Sequence, residues 1–463
     1  EKHQKIPSKI LFRLIDVGKM IVNSGTEITG NSLVYGSQKP DRYKSRIADG
    51  RIRHLLRLFG GVEIRGTKWC GKTWAAMAAA ESVIHLDNPN MKTLVSADPS
   101  LAIAGDQPHV IDEWQEVPAV WDLVRHEVDN QPDSKGMFLL TGSSTPKKEQ
   151  VSHSGAGRIA RFDMSTMTLW EEGCVEGGVS LSALFKGDFS PVATKEEGLA
   201  FLTEKLCVGG WPALIGSNVD DAIETLDEYL EALFEVSVPE KNGNSRVARR
   251  MAQSLARNVA TSATYKTLAA DAGSAYGSQM TEAAVATYLN IFKELYFIEE
   301  LPGWDAPIRS KSRLRTKPKR YFSDPSLAIA LLGTNPQRLL TDGQLFGLLF
   351  ESLCMHDIKV FVSVLPGAHG DSLRYYQDAD GLEVDFIIEL RDGRWAGIEV
   401  KLGEDKVPEG VKNLNRLRKK NSANPAARNP EPKFMAVITA NSPFARYDAE
   451  HDVYVIPLTA LMP

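Results

Sequence analysis

A chain of 463 residues is too long for one ordinary hydrophobic core, so roughly two to four domains are expected. Hydrophobic residues at 43%, charged residues at 24% and the lack of long biased tracts exclude a disordered or fibrous protein. No apolar run reaches the roughly 18 residues of a membrane span, EKHQKIPSKI lacks the apolar stretch of a secretion signal, and the four scattered cysteines form no CxxC pair; a cytoplasmic protein without membrane contact, disulfide framework or structural zinc is expected. The net charge of −5 is silent about nucleic acid, because a basic face can be outvoted elsewhere in the chain.

After an N-terminal helical extension (1–50), the stretch GGVEIRGTKWCGKTWAAMAAAE reads as a short apolar strand from Val62 to Ile64, a glycine turn and an alanine-rich helix. Within it Gly66, Thr67, Lys68, Trp69, Cys70, Gly71, Lys72 and Thr73 satisfy the pattern G-x-x-x-x-G-K-[ST], with Trp74 following at the helix start. The glycines let main-chain amides curl around phosphate oxygens, Lys72 reaches the β- and γ-phosphates, and the Thr73 hydroxyl ligates magnesium. ATP and Mg2+ are therefore the expected cofactors. A second strand, His109 to Ile111 in HVIDEWQEVP, leads into Asp112, expected to hold the metal, and Glu113, expected to act as general base on the attacking water.

A third strand, Met137 to Thr141, ends in Ser143 and Ser144, either of which could sense the γ-phosphate. In GAGRIARFDM, Arg158 and Arg161 are candidates for stabilising transition-state charge at a neighbouring subunit's nucleotide, the bland alternative being surface salt bridges. This order of strands, P-loop and helix predicts an α/β fold: a parallel-sheet P-loop ATPase core of the ASCE type over 51–168, with nucleotide at the carboxyl ends of the strands.

A helical lid is expected over 169–240. From 241 to 335, RVARRMAQSLARNVA, YKTLAADAGS and TEAAVATYLNIFKELYFIEEL read as three helices with a tight glycine-bearing turn between the last two, a winged helix-turn-helix. Its wing would be RSKSRLRTKPKRYF, where Arg309, Lys311, Arg313, Arg315, Lys317, Lys319 and Arg320 are expected to meet DNA phosphates unless they merely line a solvated face. The last unit, 336–463, holds the β-meander YYQDADGLEVDFIIELRDGRWAGIEVKLG. Asp385, then Glu399 and Lys401 on one strand face, give the acid and E-x-K pattern of the PD-(D/E)XK nuclease fold, with Glu351 on a helix as a third carboxylate; a cross-strand ion pair is the competing reading.

Together RGTKWCGKT, VIDEWQEVP, FLLTGSS, GRIARFDMSTMTLWE, GGWPALI, TKPKRYFSDPSLAIALLG, LFGLLFES, EVDFIIE and IEVKLG resemble a bacterial and archaeal family of AAA-type ATPases whose C-terminal half is a domain of unknown function related to PD-(D/E)XK nucleases. The resemblance implies an ATPase core, helical lid, winged helix and nuclease-like domain, and a ring-shaped homo-oligomer such as a hexamer. The leading expectation is an ATP-driven motor or remodeller acting on DNA, branched or forked DNA included, with a metal-dependent nuclease domain in which Glu351, Asp385 and Glu399 would hold the metal beside Lys401. The alternative is a nucleotide-regulated protein-binding switch with a catalytically silent nuclease-like domain.

Overall fold

The structure, a computed structural model, describes residues 38–463 apart from 132, 134, 144–153, 176, 195–197, 276–277 and 308, with backbone alone at 274, 275, 278, 314 and 315. Ser144 and most of the expected N-terminal extension lie outside the described residues. The helix α1 (Ile47–Leu56) runs across the expected boundary at residue 50.

Five strands form a wholly parallel sheet: β1 (Gly61–Arg65), β2 (Ser82–His85), β3 (His109–Asp112), β4 (Phe138–Gly142) and β5 (Ile159–Asp163). Their spatial order is 2-3-4-1-5, so β4 separates the strand before the P-loop from the strand carrying Asp112. The strands are short apolar runs because both faces are covered, as parallel sheets require. α1 lays Ile52, Leu55 and Leu56 on one face, and α3 (Ala119–Asn130) lays Val120, Trp121 and Val124 on the other. The P-loop helix α2 spans only Lys72–Met77, shorter than its alanine-rich sequence suggests.

Beyond residue 169 the expected units are less separate than the sequence suggests. The lid is not purely helical: Val192–Ala193 (β6) joins a sheet made by the C-terminal third, and Val179–Ser180 pairs with Leu461–Met462. One continuous hydrophobic core runs from Leu169 through Trp211, Phe234, Phe292, Phe297 and Phe350 to Leu461. The reason is amphipathicity: apolar faces left open in one segment are covered by the next, as where the helix Pro325–Leu332 packs on Gly198–Val208 and Val219–Ala232, so the stripes merge.

The helices α4 (Gly198–Val208) and α5 (Val219–Ala232) are followed by α6 (Ser245–Arg257), α7 (Tyr265–Ala272) and α8 (Glu282–Glu294). An antiparallel hairpin follows, β7 (Ile298–Leu301) with β8 (Lys319–Phe322), then α9 (Pro325–Leu332). The turn between α7 and α8 is not tight. Gly273, at φ +67°, ends α7, and a two-stranded ribbon, Ser274–Ala275 with Ser278–Gln279, precedes α8.

The C-terminal unit begins with the 22-residue helix α10 (Gly343–Val364). Its sheet contains β9 (Leu373–Gln377), β10 (Glu383–Glu389), β11 (Trp395–Lys401), β12 (Phe434–Thr439), β13 (Phe444–Asp448) and β14 (Val453–Pro457), ordered 9-10-11-12-14-13-6. The first three strands form the expected antiparallel meander. A helical crossover, α11 (Val407–Ser422), then makes β12 parallel to β11.

Candidate functional site: a P-loop and a carboxylate cluster

The P-loop backbone is held where only glycine is comfortable. Gly66 sits at φ +152°, and a Cβ there would come within 2.2 Å of the Met164 carbonyl oxygen; Gly71 sits at φ +98°. Lys72 is buried, its Nζ donating to the Thr67 carbonyl at 2.8 Å, so the ammonium lies across the loop. The variable residues do more than lend their backbone. Thr67 shares a 2.8 Å hydrogen bond with the Tyr229 hydroxyl, Lys68 donates to Ser237 at 3.1 Å, and the ring of Trp69 lies 6.1 Å from that of Trp211. The segment after the sheet thus grips the loop through side chains that the motif leaves free.

Thr73 donates to Asp112 Oδ1 at 2.8 Å, which brings the two expected metal ligands together. Thr141, at the end of β4, donates to the same oxygen, and His85 Nδ1 lies 2.9 Å from Oδ2. Burial works to raise the Asp112 pKa, but the bonds from His85, Thr141 and Thr73 prevail and hold it below the usual carboxylate range. An ionised carboxylate beside a hydroxyl suits a hard cation such as Mg2+. Oxygen and nitrogen ligand atoms of His85, Asp87 and Asp112 all lie within 4.8 Å of one another.

One residue on, Glu113 adopts left-handed backbone at φ 51°, a conformation a non-glycine residue holds at a cost. Its Oε2 accepts from Ser143 Oγ at 3.1 Å and from Gln115 Nε2. Of the two serines proposed as sensors, Ser143 therefore meets the proposed base. His85, Thr141 and Gln115 were not found from sequence: His85 and Thr141 are ordinary residues at strand ends that only the strand order makes neighbours of Asp112, and Gln115 lies in the single turn Trp114–Glu116 just after Glu113.

Arg46 was missed too, and it is the brace of the loop. It is buried, donating to the carbonyl oxygens of Cys70 at 3.0 Å, Ser165 at 2.9 Å and Thr166 at 3.0 Å, and to Glu171 Oε1 at 3.0 Å. The capping box of the Thr168 helix supplies Glu171, the one hint of it in the sequence.

Arg158 and Arg161 are each engaged within the chain. Arg158 pairs with Asp129 at 2.7 Å, and Arg161, on the edge strand β5, pairs with Glu63 at 3.1 Å. Both side chains remain about half exposed.

The basic wing is corrected more sharply. Arg313 forms a fork with Glu389, at 2.7 and 3.0 Å, and its guanidinium lies 5.8 Å from the centre of the Trp304 ring. Arg320, 6% exposed, pairs with Glu300 and donates to the Ala263 carbonyl. Lys319, 2% exposed, lies among Glu351, Glu383 and Asp385. All three are engaged within the chain: Lys319 and Arg320, consecutive on a strand, turn to opposite faces, and Arg313 reaches out of the short helix Ser312–Arg315, each meeting acids of neighbouring elements that local sequence does not reveal. Arg309, Lys311 and Lys317 are exposed, and the side chain of Arg315 lies outside the described residues.

The structure brings the C-terminal candidates together. Asp385 Oδ2 accepts from the Val400 amide at 2.9 Å, next to Glu399, and Glu399 pairs with Lys401 at 2.9 Å. Burial first, and then the charge of Asp385, push the Glu399 pKa up; burial pushes Glu351 up to about 7. Lys401 also contacts Glu409 at 3.7 Å, and Asn413 donates to Glu399.

Residues 61–172 match the family model described as an AAA domain; with the geometry above, this part of the chain is an AAA-type P-loop ATPase domain. Residues 200–338 and 346–461 match two models described as domains of unknown function. An uncharacterized protein of Mycobacterium tuberculosis and one of Mycobacterium bovis are each 24% identical over 365 residues, 77% of this chain and 73% of theirs. Among solved structures, a Walker-type ATPase of Pyrococcus abyssi is 12% identical, covering 64% of this chain and 97% of its own, with a TM-score of 0.39. The Thermotoga maritima RuvB Holliday junction branch migration motor is 16% identical, covering 58% and 93%, with a TM-score of 0.28. Among the described residues no helix is long and apolar enough to cross a membrane.

Proposed function

We propose that this protein hydrolyses ATP, with the Gly66–Thr73 loop holding the phosphates, Lys72 neutralising the β- and γ-phosphate charge, and Glu113 accepting a proton from the attacking water. The observation that carries this reading is the convergence of Thr73, Thr141 and His85 on one ionised Asp112, with Ser143 on the neighbouring Glu113. Thr73 and Asp112 would hold Mg2+, which when bound supplies charge neutralisation between the phosphates. Ser143 orients the Glu113 carboxylate, and Thr141 and His85 orient that of Asp112. Arg158 and Arg161 act in trans only if assembly with a second copy draws them from Asp129 and Glu63.

The work done with ATP is read as movement or remodelling of DNA, branched or forked DNA included, by a ring of subunits. Its support is the order of elements in 245–322, three helices and a hairpin as in a winged helix-turn-helix, and the exposed Arg309, Lys311 and Lys317 beside them. The C-terminal unit is read as PD-(D/E)XK-like, because a helix, an antiparallel meander and a crossover to a parallel strand collect Asp385, Glu399 and Lys401. A second reading, a nucleotide-regulated protein-binding switch, is favoured by a specific observation: the exposed positions of α8 include Glu282, Thr287, Asn290, Lys293 and Glu294, two acids and one lysine that is itself paired with Glu300, a surface without the basic surplus that phosphates favour.

ATP turnover measured with no DNA and with linear, forked and four-way DNA separates the two. The motor reading expects stimulation by at least one DNA; no stimulation by any leaves the switch. For hydrolysis itself, Lys72→Ala loses nucleotide binding and Glu113→Gln binds ATP without turning it over. Full turnover by Glu113→Gln removes the assigned base.

A further inference from the structure

The hairpin strand β8 carries Lys319 and Tyr321 on one face, since side chains two apart along a strand point the same way. Both reach into the carboxylate cluster of the C-terminal unit. Lys319 Nζ lies 2.6 Å from Glu383 Oε1, 2.9 Å from Glu351 Oε1 and 3.4 Å from Asp385 Oδ1, and the Tyr321 hydroxyl donates to Glu351 Oε1 at 2.7 Å. The ammonium has three protons and meets three carboxylates. Glu351 and Glu399 are buried, where an unpaired carboxylate is costly, whereas Glu383 reaches Lys319 from the more exposed edge of the cluster. The segment leading into Lys319 is also stitched down. Tyr375 donates to the Lys317 carbonyl, Trp304 N donates to the Tyr375 carbonyl at 2.7 Å, and Arg313 forks onto Glu389.

We propose that Lys319 is the residue that decides whether the C-terminal carboxylates take a divalent metal: its ammonium occupies the cation position beside Asp385 and Glu351, so the hairpin keeps that position closed to metal. The inference rests on the PD-(D/E)XK-like reading of Asp385, Glu399 and Lys401, and names the control of that same position. A divalent ion and an ammonium cannot share the same oxygens, because both would sit at contact distance with like charge in a poorly solvated place. Lys319 stays charged there: burial opposes this, but Glu351, Asp385 and Glu383 together raise its pKa well above the ordinary value. Withdrawal of the β7–β8 hairpin from the carboxylates would remove the ammonium and Tyr321 in one motion. Because β8 runs directly into α9, which packs on α4 and α5 behind the P-loop contacts of Tyr229, the hairpin is the part of the fold through which a nucleotide-dependent shift could reach the carboxylates.

Mn2+ uptake by the full-length chain, measured by electron paramagnetic resonance without nucleotide, tests this. Wild type is expected to show no Mn2+ that depends on Asp385, Lys319→Gln to gain one Mn2+ per chain, and Lys319→Gln/Asp385→Asn to lose it again. If Lys319→Gln does not fold, Lys319→Met/Glu383→Gln removes equal and opposite charges and takes its place. Mn2+ bound by wild type and abolished by Asp385→Asn overturns the role of Lys319 while leaving the metal-binding reading intact. A folded Lys319 variant that gains no Mn2+ overturns both.

Discussion

Arg46→Met asks whether one buried guanidinium holds the P-loop in shape. The arginine side chain is 4% exposed and its partner Glu171 1%, so the pair is desolvated. Methionine fills much of the same volume but leaves the carbonyls of Cys70, Ser165 and Thr166 without their donor. Glu171 keeps the amides of Ile47 at 2.7 Å and Thr168 at 2.9 Å, yet loses its counter-charge. Removing one partner of a buried pair costs about 3–5 kcal/mol, a large share of the roughly 5–15 kcal/mol that holds a domain folded. Arg46→Met/Glu171→Gln removes both charges and should recover about half of that loss. Because the Cys70 carbonyl belongs to the loop itself, nucleotide affinity should fall at least about tenfold, or ~1.4 kcal/mol. Urea unfolding followed by tryptophan fluorescence gives the first quantity, and titration with a fluorescent ATP analogue the second. A single variant within about 0.5 kcal/mol of wild type that binds nucleotide unchanged would refute Arg46 as the brace.

Other outcomes follow from the same geometry. His109 is 3% exposed, and burial pulls its pKa down to about 4, so the native state holds it neutral while the unfolded chain protonates near 6.5. Its contribution is complete above pH 6.5 and is lost as pH falls toward 4, by up to about 3 kcal/mol; the stability difference between pH 7.5 and pH 5 should shrink in His109→Gln, and an unchanged difference removes His109 as its source. Gly66→Ala should cost about 2 kcal/mol or more, because its Cβ meets the Met164 carbonyl oxygen at positive φ; a thermal midpoint equal to wild type contradicts the loop geometry. Trp69 in the loop and Trp74 just after it are 43% and 46% exposed, so nucleotide should change the intrinsic fluorescence, and Trp69→Phe/Trp74→Phe should lose most of that change. A full signal in the double variant assigns it to another tryptophan.

Much of the ATP site was legible in the sequence because a P-loop is local chemistry. Gly66, Gly71, Lys72 and Thr73 are fixed by spacing along a few residues, and Asp112 and Glu113 by their place at the end of an apolar strand. The meander carrying Asp385, Glu399 and Lys401 was legible too, through strand alternation. The errors fall where a side chain's partner is distant in sequence. Arg313, Lys319 and Arg320 have the composition of a phosphate-binding wing, and composition cannot tell a solvated cation from one whose acid lies 76, 32 or 20 residues away along the chain.

The sequence by itself determined the chemistry of the phosphate loop, the acidic pair that follows it and the antiparallel meander near residues 373–401, because hydrogen-bonding geometry and apolar period act over a turn or a strand. Only the tertiary structure decided which groups face one another. Strand order brings Thr141, His85 and Ser143 to the acidic pair, Arg46 reaches over from the N-cap of a preceding helix to hold the loop, and a hairpin delivers Lys319 into carboxylates of another unit. Each of these is an encounter between elements far apart in the chain, set by how apolar faces merge into one core, and no local pattern encodes it.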